Sequence, residues 1–157
     1  MNGNLTPDEI ESILEHQIIG RIGCHSEGKT YIIPISYAYN DGVIYLHTQE
    51  GMKINMMRKN SAVCFQVDEM TNMANWKSVT AWGEFEELND IDLRNEGIQY
   101  LTHRHFPASV SKTVHLSGMW PFELDSLPLV TGLICKITLS KKSGRFENDN
   151  FQTTFAY

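Results

Sequence analysis

Basic charge, paired cysteines, glycine fingerprints and long apolar runs are all scarce in this sequence, and each scarcity removes a class of function. Lys and Arg number 13 against 19 Asp and Glu, a net charge of -6 with a pI near 5.4. Binding along a phosphate backbone needs a basic stripe, so nucleic acid is not an expected partner, although one small cation site remains compatible with that balance. The three cysteines, Cys24, Cys64 and Cys135, lie far apart in apolar, strand-like surroundings. An odd number without a C-x-x-C pair reads as reduced, mostly buried thiols, with support for neither a disulfide framework nor a structural zinc site. No stretch approaches the length of a membrane span. The opening Met1-Asn2-Gly3-Asn4 lacks the basic and apolar regions of a signal peptide, so a cytoplasmic address and no membrane partner are expected. No Gly-x-Gly-x-x-Gly run follows a strand, which argues against a dinucleotide-binding parallel fold. Metal is not expected either: in His103-Arg104-His105 the imidazoles sit two apart, about 200° from each other on a helix, and His115 is remote.

What is present fits one domain spanning 1–157, with room for a single core in 17.9 kDa. Thr6-Pro7-Asp8-Glu9 opens a helix, with an N-cap, a first-turn proline and acids at the positive end, followed by Ile10, Ile13 and Leu14 at helical spacing. Residues 17–24 and 31–39 read as antiparallel strands joined around Ser26-Glu27-Gly28, with Tyr31, Ile33, Ile35, Tyr37 and Tyr39 on one face. Asn40-Asp41-Gly42 is a hairpin signal into a strand over 43–48. A helix over 51–60, a strand over 61–68, a polar turn over 69–75 and a long strand over 76–88 follow. In that long strand Val79, Ala81 and Phe85 share a face, and Gly83 marks a bulge or a close approach. Asn89-Asp90 caps a helix carrying Ile91, Ile98 and Leu101. Residues 107–128 hold three of the five prolines without a period and read as a surface excursion; 129–139 is a last core strand, with 141–145 as the turn out of it. Some six short-spaced antiparallel strands with three short helices suit a small barrel, because parallel crossovers would need a helix after nearly every strand.

The run from Ile44 to Arg58 carries the first functional expectation. A strand ends in His47-Thr48, turns at Gly51 and starts a helix with Lys53 in its first turn. Unpaired N–H groups, the positive end of a helix dipole and a Lys charge then meet at one place, which suits a phosphate ester. A solvated Lys53 fits the same residues equally well.

The order of features resembles the pyridoxamine-phosphate-oxidase-like, FMN-binding split-barrel proteins, most nearly the general stress and nitroimidazole-resistance-type branch. The matching pieces are Ile19-Gly20-Arg21-Ile22-Gly23, Ile33-Pro34-Ile35-Ser36-Tyr37, His47-Thr48 with Gly51-Met52-Lys53, 60–65, Trp76-Lys77-Ser78-Val79 and 83–88. The resemblance implies a mainly β (α+β) fold, an antiparallel six-stranded split β-barrel with short flanking helices. It also implies a homodimer with FMN at the subunit interface. Carried over by position, Lys53 and the Met52 and Lys53 amides hold the FMN phosphate, with Arg21 as a second cation and Thr48 as a hydroxyl donor; Ile35, Ser36, Tyr37 and His47 line the ring system; Trp76 and Ser78 lie by the cofactor.

Each of these residues has a plain structural counterpart. Arg21 fits a surface ion pair with Glu84 or Glu86. Trp76 fits a barrel plug, and the tyrosine face fits core or dimer surface better than a cofactor box. His47 fits an ordinary half-buried imidazole. The chain also departs from true pyridoxamine-phosphate oxidases, which carry a C-terminal Trp and Arg completing the substrate pocket; here Gly144-Arg145-Phe146-Glu147 leads into an Asn-rich tail ending at Tyr157, so vitamin B6 phosphate oxidation is not expected. The excursion, with His115 and Trp120, is expected to shape another pocket over the flavin.

Two readings of function follow from the resemblance. In the first, the protein is an FMN-dependent oxidoreductase reducing an electron-poor small molecule with NAD(P)H as donor, which needs no acid–base or nucleophilic side chain because the flavin carries the chemistry. In the second, it is a non-catalytic flavin-binding stress protein or a haem-binding relative. A dimeric barrel with a vacant groove is the bland third reading.

Overall fold

The computed structural model describes residues 1–104 and 130–149. The excursion at 107–128, with His115 and Trp120, together with His105 and the tail to Tyr157, lies outside the described residues. The elements are β1 (Asn2–Asn4), α1 (Pro7–His16), β2 (Ile19–Ser26), β3 (Lys29–Asn40), β4 (Val43–Thr48), α2 (Met52–Lys59), β5 (Ala62–Asn72), β6 (Asn75–Glu87), α3 (Ile91–His103) and β7 (Leu133–Asn148).

Local chemistry accounts for most of these boundaries. Thr6 Oγ1 accepts from the Glu9 amide while the Glu9 carboxylate accepts from the Thr6 amide, the reciprocal box that starts α1. Two hairpins turn through left-handed pairs, Glu27 (φ 51°) with Gly28 (φ 75°) and Asp41 (φ 42°) with Gly42 (φ 80°), whose twist matches that of the flanking strands.

The strands form one antiparallel sheet in the order β1-β7-β4-β3-β2-β5-β6, and β6 pairs back onto β7. Six strands, β2 to β7, therefore close into a ring, and the short β1, which carries no hydrophobic pattern, adds to β7 through Gly3 and Phe146. The helix α1 covers the inside of the ring. Ile10, Ile13 and Leu14 are buried there with Tyr37, Phe65, Val67 and Val79. Tyr37 meets Phe65 edge-on at 4.9 Å and donates its hydroxyl to the Leu14 carbonyl at 2.9 Å. A second cluster, Ala38, Tyr45, Leu88, Ile98, Leu101 and Ile134, holds α3 against the outside of β4 and β7.

The structure corrects the sequence reading in four places. Residues 141–145 are not a turn: β7 runs through them, paired with β6 from Asn148 to Cys135. One extra residue of β7, Ser140, is absorbed opposite the step from Trp82 to Gly83, so the inward face of β7 switches and Lys142 points in to Glu11 and Tyr39. Gly83 is the close approach there, since a Cβ would fall 2.3 Å from the Thr138 carbonyl oxygen. The polar segment 69–72 is strand, paired with 75–77, leaving a turn of only Met73 and Ala74; exposed side chains give no alternation to read. Ile91 is 65% exposed, at the first position of α3, facing away from the cluster. Arg21 pairs with Asp68, not with Glu84 or Glu86, because β2 and β5 are neighbours in the sheet.

Candidate functional site

The strands β3 and β4 are paired only from Asn40–Val43 to Tyr37–Leu46. Beyond that point they part. β3 continues along β2, with Ile35 opposite Gly20 and Ser36 opposite Ile19, while β4 continues along β7, with His47 opposite Ile134 and Thr48 opposite Leu133. Ile35 and Ser36 thus form one lip of an opening, and His47 and Thr48 form the other. The chain turns from Thr48 through Gly51 into α2, which brings Met52 and Lys53 to the end of the second lip.

The start of α2 differs in chemistry from the other helices. Thr6 caps α1 and Asp90 caps α3 by accepting from first-turn amides, whereas Gly51 offers α2 no side-chain cap and its first turn holds no acid. Glu50, one residue earlier, is drawn away: both its oxygens accept from Arg58, at 2.8 and 2.7 Å. Those bonds hold the Glu50 carboxyl below its usual range.

His47 reaches the strand entrance that faces the second lip. Its Nε2 lies 2.6 Å from the Thr131 carbonyl oxygen and therefore carries the proton. Burial lowers its basicity, opposed by that bond, and the Arg94 charge lowers it further. The Tyr37 side chain is fully buried in the core and turned away from the opening, with its phenol pushed up by burial, so of this residue only the backbone borders the lip. Ile35 packs partly against the core and Ser36 is exposed on the outer face.

Arg21, Trp76 and Ser78 occupy that outer face. Arg21 donates to Asp68 at 2.8 Å and to Gln66 at 3.1 Å; Gln66 in turn donates to Asp68 at 3.0 Å and to Ser78 Oγ at 3.1 Å. One network therefore joins Arg21 to Ser78 across β2, β5 and β6. Trp76 donates its indole N–H to Glu147 at 3.1 Å. Beside the network runs a groove of about 690 Å³ floored by Gly23, Ile32, Cys64 and Trp82. The structure so brings His47, Thr48, Met52 and Lys53 together, and Arg21 with Ser78, as two separate groups on either side of β3.

Sequence reading missed three residues of this region. Gln66 and Asp68 were hidden in an alternating strand, and only cross-strand register reveals their role. Arg104, lost in the His-Arg-His string, donates to the Tyr37 carbonyl at the point where β3 and β4 part. Its guanidinium is buried there, which disfavours its charge.

A family model described as pyridoxamine 5'-phosphate oxidase matches residues 6–127. The chain belongs to the pyridoxamine 5'-phosphate oxidase-like family of FMN-binding split-barrel flavoproteins. An uncharacterised Rhizobium meliloti protein, RA0666, is 31% identical over 84 residues; the match takes in 54% of this chain and just over half, 56%, of that curated relative. An FAD-binding protein from Mesorhizobium loti is similar in structure, with a TM-score of 0.74, 28% identity, and coverage of 94% of this chain and 99% of that one. A candidate 5-nitroimidazole antibiotic resistance protein from Bacteroides thetaiotaomicron (TM-score 0.70, 20% identity, 93% and 87% covered) and an FAD-binding protein from Mycobacterium smegmatis (0.66, 17%, 94% and 100%) share the fold.

Proposed function

We propose that the chain, as one domain over 1–157, binds FMN in the opening between β3 and β4 and uses it as an oxidoreductase, reducing an electron-poor small molecule with NAD(P)H as donor. The observation that carries the reading is the parting of β3 and β4 at Tyr37–Leu46, which sets Ile35 and Ser36 against Thr48 and the uncapped, acid-free first turn of α2 in a chain of this family. In this arrangement Lys53 and the Met52 and Lys53 amides hold the phosphate, and Thr48 donates a hydroxyl. Ser36 and the backbone of 35–37 border the ring, and Arg21, Ser78 and Trp76 lie on the neighbouring outer face. When bound, the flavin supplies the hydride and electron chemistry, and the protein supplies anchoring and orientation. The Mesorhizobium loti relative binds FAD, so FAD is titrated beside FMN.

The outer face supports the partner assignment. Ile32 on β3, Trp82 on β6 and Ile19 on β2 are 64, 40 and 55% exposed on the outer face, an apolar surface that a second copy of the chain would cover in a homodimer holding the cofactor at its interface. Among the described residues no helix is long and apolar enough to cross a membrane, and the cytoplasm is the proposed address.

The test is a visible spectrum of the purified protein followed by FMN and FAD titration with flavin fluorescence, then anaerobic NADH or NADPH. Saturable quenching and rapid bleaching of the bound flavin are expected. Binding without bleaching leaves a flavin carrier, and a Soret band in place of flavin bands overturns the assignment.

A further inference from the structure

Three consecutive carbonyls at the entrance to β7 are held by two side chains from different elements. Arg94, on α3, donates through one terminal nitrogen to Val130 at 2.7 Å and through the other to Gly132 at 3.1 Å. His47, on β4, donates to the carbonyl between them, that of Thr131, at 2.6 Å. The gripped backbone lies hard against the second lip. Gly132 adopts φ +84°, and a Cβ there would fall 2.9 Å from both His47 Nε2 and the Thr48 carbonyl oxygen, so glycine is required on both counts. Arg94 is itself fixed by the close docking of α3, where a Cβ at Gly97 would come within 2.8 Å of Ile134 and 3.0 Å of Leu88.

We propose that Arg94 and His47 are positioning residues that clamp 130–132 and thereby hold Thr48, the residue paired with Leu133, in place for a phosphorylated ligand. The ligand rests on the flavin reading above; the clamp itself does not. Arg94 spans the two outer carbonyls as a planar fork, a grip lysine cannot copy.

The clamp is acid-sensitive. Of the described charged groups, Arg94 on α3 is the one whose field acts on His47; the neighbouring Thr48 and Gln49 and the 131–132 backbone carry no charge. Nε2 donates to Thr131 in both protonation states, so protonation adds a second cation beside Arg94 in a half-buried place, which disfavours the joint grip. Neutral His47 contributes fully above its ordinary value of 6.5, and the contribution is lost as pH falls through the lowered folded-state value.

The experiment follows backbone hydrogen exchange of the peptide covering 130–136 in the full chain between about pH 5 and pH 8, corrected for intrinsic exchange. Wild-type protection is expected to fall on the acid side. Arg94→Gln should lose protection throughout, Arg94→Lys should lose part of it, and His47→Gln, which keeps a donor for Thr131, should keep protection but lose its pH dependence. At about pH 7.5, where the FMN phosphate is ionised, Arg94→Gln should also raise the FMN Kd about fivefold. Wild-type protection flat across the range, or full protection and affinity in Arg94→Gln, overturns the proposal. Wild-type protein that binds no FMN overturns the flavin reading, and the exchange profile still decides the clamp.

Discussion

Arg58 and Glu50 meet end-on, with Nη1 on Oε2 at 2.8 Å and Nη2 on Oε1 at 2.7 Å, and the same guanidinium meets Glu87 side-on through Nε at 2.5 Å and Nη2 at 3.0 Å. Glu50 directly precedes the N-cap of α2, and without this partner its carboxylate would lie within reach of the helix's positive end, where it would compete with a phosphate. The two carboxylates in turn push the Arg58 guanidinium further up. Arg58→Gln is expected to weaken FMN binding about tenfold, and adding Glu50→Gln should restore most of it. Loss of affinity without rescue in the double variant would make Arg58 a structural strut between α2 and β6 only.

Lys53→Met removes the charge-assisted partner proposed for the phosphate while keeping the length of the side chain. One such contact is worth about 1.5–3 kcal/mol, so the FMN Kd should rise by roughly ten- to a hundredfold with the fold unchanged. Riboflavin, which lacks the phosphate, should bind both proteins alike. Equal FMN affinity in the variant would place the phosphate elsewhere.

Much of this architecture could be read from sequence because it depends on local chemistry. The capping box at Thr6, the left-handed turn at Asp41-Gly42 and the apolar spacing of Ile10, Ile13 and Leu14 are each set by residues within a few positions of one another. The failures share a different cause. The course of β7 through Lys141 to Arg145 depends on pairing with β6, about 60 residues away, and polar side chains on exposed ladder positions leave no period to detect. The site divides in the same way: Thr48, Gly51 and Lys53 form a contiguous signal, while the Arg21–Gln66–Ser78 network exists only through the alignment of β2, β5 and β6. The bond from His47 to the Thr131 carbonyl is equally invisible in sequence, because the two residues are 84 positions apart.

Among the described residues, a polar cluster inside the ring tests its closure. Tyr39 donates to Glu11 at 2.6 Å and accepts from Lys142 at 3.0 Å and from the Gly42 amide at 2.9 Å, joining α1, β7 and the β3–β4 turn. Tyr39→Phe removes all three bonds at one atom and should cost about 1–2 kcal/mol, a fall in Tm of roughly 2–6 °C for a chain of this size. Glu11 keeps a lowered pKa: burial works against its charge, but the bonds from Lys142 and Tyr39 outweigh it. Its stabilising contribution is therefore complete above the ordinary value of 4.5 and is lost as pH falls through the lowered one. Comparing acid unfolding of wild type and Glu11→Gln checks this, and a variant with an unchanged acid limb would remove the cluster from the account.

The three thiols report on the outer face. Cys24 and Cys135 are buried, and burial pushes the Cys135 thiol up to about 12, so neither should react with a thiol reagent in the folded protein. Cys64 is half-exposed on the floor of the groove beside Trp82, with its thiol also raised by burial. If a second copy covers that floor, Cys64 should be protected as well, and the native protein should sediment as a dimer with no rapidly reacting thiol. Trp82→Glu places a charge in the apolar surface opposite its own symmetry mate or neighbour, so the variant should sediment as a monomer, expose one thiol and lose flavin affinity together. A dimer that persists in Trp82→Glu with Cys64 freely modified would put the interface on another face, and with it the flavin site's second wall.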